Sequence, residues 1–130
     1  MNLTDFIYER LARPAAKPSA PLLYLSGPMT GMPELNFPAF HRAAASLRRT
    51  GYRVINPAEL DAADTRELTW AEYMRRDIKV LTDCEVIALL PGWENSRGAR
   101  IEKLVADALG MRVIYVDEFG GGERIAHHAV

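Results

Sequence analysis

The sequence has little cysteine and no long apolar run. Its one cysteine, Cys84, excludes an intramolecular disulfide and a cysteine metal cluster, and it fits a reducing compartment. The first 21 residues contain acids and a proline-rich end instead of a long apolar core, so they match neither a signal peptide nor a membrane span. We therefore expect a cytoplasmic protein that does not contact a membrane.

An excess of charge of either sign is also missing. The formal net charge is -1, from 16 Lys and Arg against 17 Asp and Glu. Binding to a nucleic acid polymer usually needs a concentrated basic face. The basic doublets Arg48-Arg49 and Arg75-Arg76 are more typical of solvated helix faces. The charge pattern therefore disfavours a nucleic acid polymer as the partner.

Several motifs of known chemistry are absent from the sequence. It contains neither the dinucleotide fingerprint GxGxxG leading into a helix nor the nucleophile elbow GxSxG. No set of metal ligands appears at a recognisable spacing. The histidines His41, His127 and His128 have no acidic or nucleophilic partner nearby in sequence, and we interpret them as surface residues. We expect neither a cofactor nor a metal.

The composition present is that of one globular domain. The chain has 130 residues, of which 48% are hydrophobic and 25% charged. Residues 3–12 show the spacing of a short amphipathic helix, and three prolines make residues 13–21 a linker. We predict an N-terminal helix and Pro-rich linker over 1–21 and a single domain over 22–130. The helix would pack on the body or on a second subunit.

Strand and helix patterns alternate through this domain. Apolar runs predict strands at residues 21–27, 52–56, 84–90 and 111–116, and helical spacing predicts helices at 37–50, 69–81 and 97–109. The tail "ERIAHHAV" suggests one more helical turn. This alternation predicts an α/β three-layer sandwich with a 4- to 5-stranded parallel sheet, of the flavodoxin-like or Rossmann-like kind.

Unusual residues follow the first three predicted strands. The stretches are "SGPMTGMPELN", "NPAEL" and "PGWENSRG", and all are rich in glycine, proline or small polar residues. In open parallel sheets, ligands bind beyond the carboxyl ends of the strands, near the switch in strand order. The sequence therefore predicts a small-molecule site at this edge.

The stretch "LPGWENSRGARIE" carries the most specific spacing. Ser96 and Gly98 precede Glu102 by six and four residues, at the start of a predicted helix. Backbone N–H groups and a serine hydroxyl at a helix start suit an anion such as a phosphate. Glu102 would then face the part of a substrate next to that phosphate. The alternative is that Glu102 only complements the helix dipole.

Other candidates have weaker signals. Gly27 and Gly31 let a backbone approach a ligand, and Pro28 stiffens their turn, although such a turn is more often a plain loop. Asp77 is either a site residue or a surface acid paired with a neighbouring base, and Tyr24 is either functional or core. The candidate substrate-binding residues are Ser26, Gly27, Pro28, Gly31, Asn36, Trp93, Ser96 and Gly98. Trp70 is a second aromatic candidate for a pocket wall, with plain packing as its alternative.

Three stretches, "YLSGPMTG", "RRDIKVLTDCEVIALLPGW" and "SRGARIE", together resemble the nucleoside 2-deoxyribosyltransferase superfamily over residues 22–116. Within it, they resemble a branch of small, often phage- or prophage-borne proteins related to 2'-deoxynucleoside 5'-monophosphate N-glycosidases. The resemblance implies that Glu102 attacks the anomeric carbon, that Tyr24 orients it, and that Asp77 assists at the base or the sugar. Ser96 matches the phosphate-binding serine of the hydrolases, where transferases place an acid.

These observations predict an enzyme that acts on the N-glycosidic bond of a nucleoside or nucleotide, as a hydrolase or a deoxyribosyltransferase. Two other hypotheses stay open: a nucleotide-binding sensor or sponge without turnover, and a scaffold assembled through its N-terminal helix. We expect a homodimer or larger homo-oligomer, because sites in the resembled superfamily are often completed across an interface.

Overall fold

A computed structural model describes residues 20–117 and the backbone of residues 123–126. The predicted N-terminal helix, most of the predicted linker and the histidines of the tail lie outside the described residues. Within the described part of the chain, no helix is both long and apolar enough to cross a membrane.

A five-stranded sheet forms the centre of the domain. Its strands are β1 (Leu22–Ser26), β2 (Arg53–Ile55), β3 (Val86–Leu89), β4 (Arg112–Val116) and β5 (Glu123–Ala126). Their order is β2-β1-β3-β4-β5, and the first four are parallel. The predicted α/β sandwich is thus confirmed, with a four-stranded parallel sheet.

The last strand corrects one prediction. Residues 123–126 are a strand antiparallel to β4, with Ile114 opposite Ile125, and not a helical turn. Four residues are too few to sustain a helix alone, whereas the edge of β4 offers unpaired backbone groups. Pairing with that edge is therefore the better use of this short segment.

Within residues 20–117, four helices cover the two faces of the sheet. They are α1 (Phe37–Arg49), α2 (Pro57–Ala63), α3 (Trp70–Leu81) and α4 (Arg97–Ala108), with 3-10 turns at Pro33–Asn36 and Trp93–Asn95. The predicted helices at 37–50, 69–81 and 97–109 correspond to α1, α3 and α4. The sequence patterns do not predict the short helix α2. Its start nevertheless has a recognisable signal, since the Asn56 side chain accepts from Ala58 N–H and Pro57 occupies the first helical position.

Alternating side chains of the strands build two separate cores. Leu23 and Leu25 of β1 pack with Phe40 and Leu47 of α1 on one face. Tyr24 points to the opposite face, where α2, α3 and α4 supply Leu60, Val80, Leu81 and Ala106. Because every residue of β1 is buried, this central strand cannot be displaced without disturbing both cores.

The connections of β1 create a crevice at the edge of the sheet. The chain leaves β1 toward β2 on one side and later returns to pair β3 on the other side. The loops after β1 and β3 therefore diverge, which is the switch in strand order where ligands bind in such sheets.

The start of α3 provides a test of this fold. Thr69 Oγ1 accepts from Glu72 N–H at 3.2 Å, and the Glu72 carboxylate accepts from Thr69 N–H at 2.9 Å. Thr69→Ala should lower the free energy of unfolding by about 1 kcal/mol, because it leaves a first-turn donor without its cap. Chemical denaturation measures this change. Exposed Thr65 is the matched control, and an equal loss in Thr65→Ala would contradict the capping assignment.

Candidate active site

Two hydroxyls of β1 hold one buried carboxyl group of α4. The Tyr24 hydroxyl donates to Oε2 of Glu102 at 2.6 Å, and Ser26 Oγ donates to Oε1 at 2.7 Å. Tyr24 and Ser26 are two residues apart on one strand, so their side chains share a face. With Glu102 only 6% exposed, each of its oxygens has a fixed direction and a fixed donor.

The helix that carries Glu102 explains its position. Ser96 caps α4 by accepting from Ala99 N–H at 3.2 Å, and the buried face of the helix contains Ala99, Glu102 and Ala106. This spacing puts Glu102 on the stripe that packs against the sheet. Helical side chains also lean toward the N-terminus, which directs the carboxyl group toward the first turn of α4.

Burial changes the protonation of this carboxyl group. Loss of water and then the nearby Asp77 carboxyl raise the pKa of Glu102 to about 8, against the two hydroxyl donors that lower it. Burial followed by the same two carboxyls raises the pKa of Tyr24 well above its ordinary value. Tyr24 therefore remains a hydrogen-bond donor throughout the physiological range.

A second carboxyl group lies close to the first. Burial raises the pKa of Asp77 to about 6, opposed by the charge of Arg76 and by its hydrogen bond. Arg76 Nε donates to Oδ1 of Asp77 at 2.8 Å. Asp77 thus pairs with a neighbouring arginine, as expected for the alternative of a surface acid. Its side chain, however, is only 13% exposed and does not lie on the surface.

A cavity of about 570 Å³ opens onto these groups. Its walls include nine of the residues singled out from the sequence: Tyr24, Ser26, Gly27, Pro28, Trp70, Asp77, Ser96, Gly98 and Glu102. They come from β1, α3, α4 and the intervening loops. The structure therefore brings these candidates together at the carboxyl edge of the sheet.

Three predicted substrate-binding residues do not line this cavity. Gly31 is exposed in a turn with φ +80°. Asn36 donates from Nδ2 to the Pro28 carbonyl at 2.9 Å, so it shapes the first loop. Trp93 packs near Tyr115, with ring centroids 6.2 Å apart. The aromatic wall comes instead from Trp70 and Tyr73 of α3.

Sequence reasoning missed other residues of the wall. Asp61 and Pro57 line the cavity from α2, the helix that the sequence patterns do not predict. Arg97 lines it at the first position of α4, with its guanidinium carbon 4.2 Å from the centre of the Trp70 ring. The cap at Asn56 followed by proline was the available signal for α2. Nothing in the sequence alone pairs Arg97 with Trp70.

The first turn of α4 retains donors for an anion. The cap bond uses a lone pair of Ser96 Oγ, so its hydroxyl hydrogen can still be donated. Gly98 presents no side chain, and a Cβ there would meet Met74 Sδ at 3.3 Å. In residues 20–117, no group of three or more His, Cys, Asp or Glu side chains is placed to hold a metal ion.

A family model matches most of the chain. The family described as "Domain of unknown function (DUF4406)" matches residues 21–115. That range runs from the start of β1 almost to the end of β4, so it includes every residue of the cavity wall. No curated protein sequence matches the chain.

The pKa of Glu102 predicts how stability responds to pH. The folded chain keeps a proton up to about pH 8, whereas the ordinary value for glutamate is 4.5. The free energy of unfolding should therefore fall as pH rises between these values, by up to about 1.4 kcal/mol per unit. Glu102→Gln removes this titration, so the variant should gain stability relative to the natural chain from pH 5 to pH 8.

Denaturation at several pH values measures this difference. The exposed Glu85 provides the matched control, since Glu85→Gln makes the same chemical change outside the core. A pH-independent difference for Glu102→Gln would show that burial does not perturb this carboxyl group.

Proposed function

The chain belongs to the family described as "Domain of unknown function (DUF4406)", and we propose that it cleaves the N-glycosidic bond of a nucleoside 5'-monophosphate or nucleoside. The observation that carries this proposal is the Glu102 carboxyl group, buried at the cavity wall and aimed by Tyr24 and Ser26. The resemblance to the nucleoside 2-deoxyribosyltransferase superfamily points to the same reaction.

The first step needs a nucleophile and an acid. The reactive form of the pair carries its single proton on Asp77, after transfer of that proton from Glu102. One oxygen of ionised Glu102 then bonds to the anomeric carbon as the bond from that carbon to the base nitrogen breaks. The electron pair of the broken bond stays on the base, and protonated Asp77 supplies a proton to it. A close carboxylate also stabilises the positive charge that develops on the sugar.

The second step frees the enzyme. Water attacks the anomeric carbon, the ester bond to Glu102 breaks, and Asp77 takes back a proton. A hydrolase thus releases the free sugar or sugar phosphate, and in a transferase a second base takes the place of water. The two hydroxyl donors keep Glu102 in place through both steps, which limits the reorganisation that the reaction requires.

The first turn of α4 favours a phosphorylated substrate. Ser96 and the backbone of Arg97 and Gly98 form the N-terminal end of this helix, which suits an anion. Glu102 follows Ser96 by six residues, roughly 9 Å along a helix axis, and its side chain leans back toward the helix start. That separation suits a substrate with an anion and the anomeric carbon at two ends of one sugar.

One observation favours a second candidate function, nucleotide binding without turnover. The pKa of Glu102 is raised to about 8, so this carboxyl group is neutral in most molecules at pH 7. A neutral carboxyl group is a hydrogen-bonding group and not a nucleophile. A sensor or sponge would use the same cavity in this way.

Base release from a panel of nucleoside 5'-monophosphates, followed by chromatography, tests the proposal. Glu102→Gln should lower the rate roughly 1,000-fold or more, because the nucleophile is lost. Exposed Glu94 offers a matched control in the preceding loop, and Glu94→Gln should keep the rate of the natural chain. Full activity of Glu102→Gln would overturn the proposal, and a bound nucleotide that stays intact for hours would favour the second candidate.

The pH profile provides an independent test. The reaction needs one proton on the Glu102–Asp77 pair, and the raised pKa values of about 6 and about 8 mean that the pair holds one proton between these limits. The ratio kcat/KM should therefore be bell-shaped, with a maximum near neutral pH. A ratio that is constant from pH 5 to pH 9 would contradict the assigned pair.

A further inference from the structure

One guanidinium group joins three acids beside the cavity. Arg76 Nη2 donates to Asp61 Oδ1 at 2.6 Å, Nε donates to Asp77 Oδ1 at 2.8 Å, and Nη1 lies 3.5 Å from Asp64 Oδ2. The Arg76 side chain is 5% exposed. The guanidinium thus bridges three carboxylates, with Nη2 also 2.8 Å from Asp77 Oδ1, an arrangement that suits the planar fork of arginine.

The three acids differ in what else they touch. Asp64 has a stronger partner in Arg66, whose Nε and Nη2 donate to its two oxygens at 2.8 and 2.7 Å. Asp61 and Asp77 line the cavity, and Asp64 does not. Within residues 20–117, Oδ1 of Asp61 bonds to Arg76, and Oδ2 has no protein hydrogen-bond donor. Asp61 therefore presents an acceptor to the cavity.

Asp61 has one contact that serves Arg76 and one side that faces the cavity. Its hydrogen bond and its charge raise the pKa of Arg76 and so favour the charged guanidinium, while the same charge raises the pKa of Asp77. Only Oδ1 of Asp61 is used in the bond to Arg76, and the residue lines the cavity. Its second oxygen is therefore left for a ligand.

We propose that Asp61 is a substrate-binding residue, which Arg76 holds toward the cavity so that its carboxylate accepts a hydrogen bond from a donor group of a nucleoside. A carboxylate accepts only, so the recognised group is a sugar hydroxyl or an exocyclic amine of the base. The carboxylates of Asp61 and Asp77 also repel a phosphate from this wall. A phosphate would therefore bind at the start of α4. The inference rests on the proposed function for the class of ligand, but it does not require turnover.

Titration calorimetry with adenosine 5'-monophosphate tests this role, in the Glu102→Gln background to prevent cleavage. Asp61→Asn should weaken binding roughly 10-fold or more, because a charged hydrogen bond is lost. Asp64→Asn is the matched control: it removes an equal charge from the same guanidinium, and it should change the dissociation constant less than twofold. Thermal unfolding of both variants shows that each is folded at the temperature of the titration.

Substrate analogues identify the donor. Inosine 5'-monophosphate lacks the amine, and 2'- and 3'-deoxy analogues each lack one hydroxyl. In the Glu102→Gln background, the analogue without the recognised group should bind equally to chains with and without Asp61→Asn. The contact is then missing from both complexes. A loss that is equal for every analogue would overturn the assignment of a hydrogen bond.

The positioning role of Arg76 has its own readout. Arg76→Lys keeps the charge but lacks the separated nitrogens of the guanidinium that hold Asp61 and Asp77 in place, so it should also weaken binding. The double variant Arg76→Lys with Asp61→Asn should bind no more weakly than the single variants, because Arg76 acts through Asp61. Additive losses would show that Arg76 has only a separate, structural role in binding.

The outcomes separate this inference from the proposed function. If the natural chain releases base and Asp61→Asn binds like Asp64→Asn, the role of Asp61 is wrong and the reaction stands. If nucleotides bind in an Asp61-dependent way and stay intact, the reaction is wrong and Asp61 stands. If the natural chain and the Glu102→Gln variant bind no nucleoside or nucleotide, both are wrong.

Discussion

The burial of the Glu102 carboxyl group is the constraint on which the rest of the site depends. A carboxyl group in a core is costly unless its oxygens are hydrogen-bonded, and here β1 supplies both donors, Tyr24 and Ser26. Those donors occupy the correct face only because β1 is central and fully buried, so its side chains alternate strictly between two cores. The chemistry of the cavity therefore depends on the register of one strand. A shift by one residue would turn both hydroxyls away from α4.

The same constraint orders the electrostatics outward from Glu102. Asp77 lies close enough to raise the pKa of Glu102, and Arg76 in turn holds Asp77. Because Arg76 is itself buried, it requires acidic partners, and these come from α2 and the loop that follows it. Two neighbouring carboxyls with raised pKa values are typical of sites that exchange protons. The charge network is therefore a property of three helices packed on one face and not of any single motif.

Sequence patterns predicted the parts of this arrangement that follow from local rules. Four strands and three long helices follow from periodicity and helix-start signals, and the carboxyl edge of the sheet follows from strand alternation. Four residues of the site could be predicted because they lie on or beside those elements: Tyr24, Ser26, Asp77 and Glu102. Two errors have a common cause. Helix α2 and strand β5 are short, with seven and four residues, so their periodicity is too brief to recognise and tertiary contacts decide their structure.

The residues that sequence reasoning misplaced are those whose roles depend on packing between distant elements. Trp93 and Trp70 are both candidates for the aromatic wall, and only Trp70, which contacts Arg97 where α3 packs beside α4, lines the cavity. Asp61 is not among the predicted site residues, because the sequence patterns do not predict helix α2. Its partner Arg76 belongs to a basic doublet that is predicted to lie on a solvated helix face. A buried arginine with several acids is a stronger indication of a site than either sequence signal, since its burial must be compensated by neighbours. Here those neighbours form the wall of the cavity that contains Glu102.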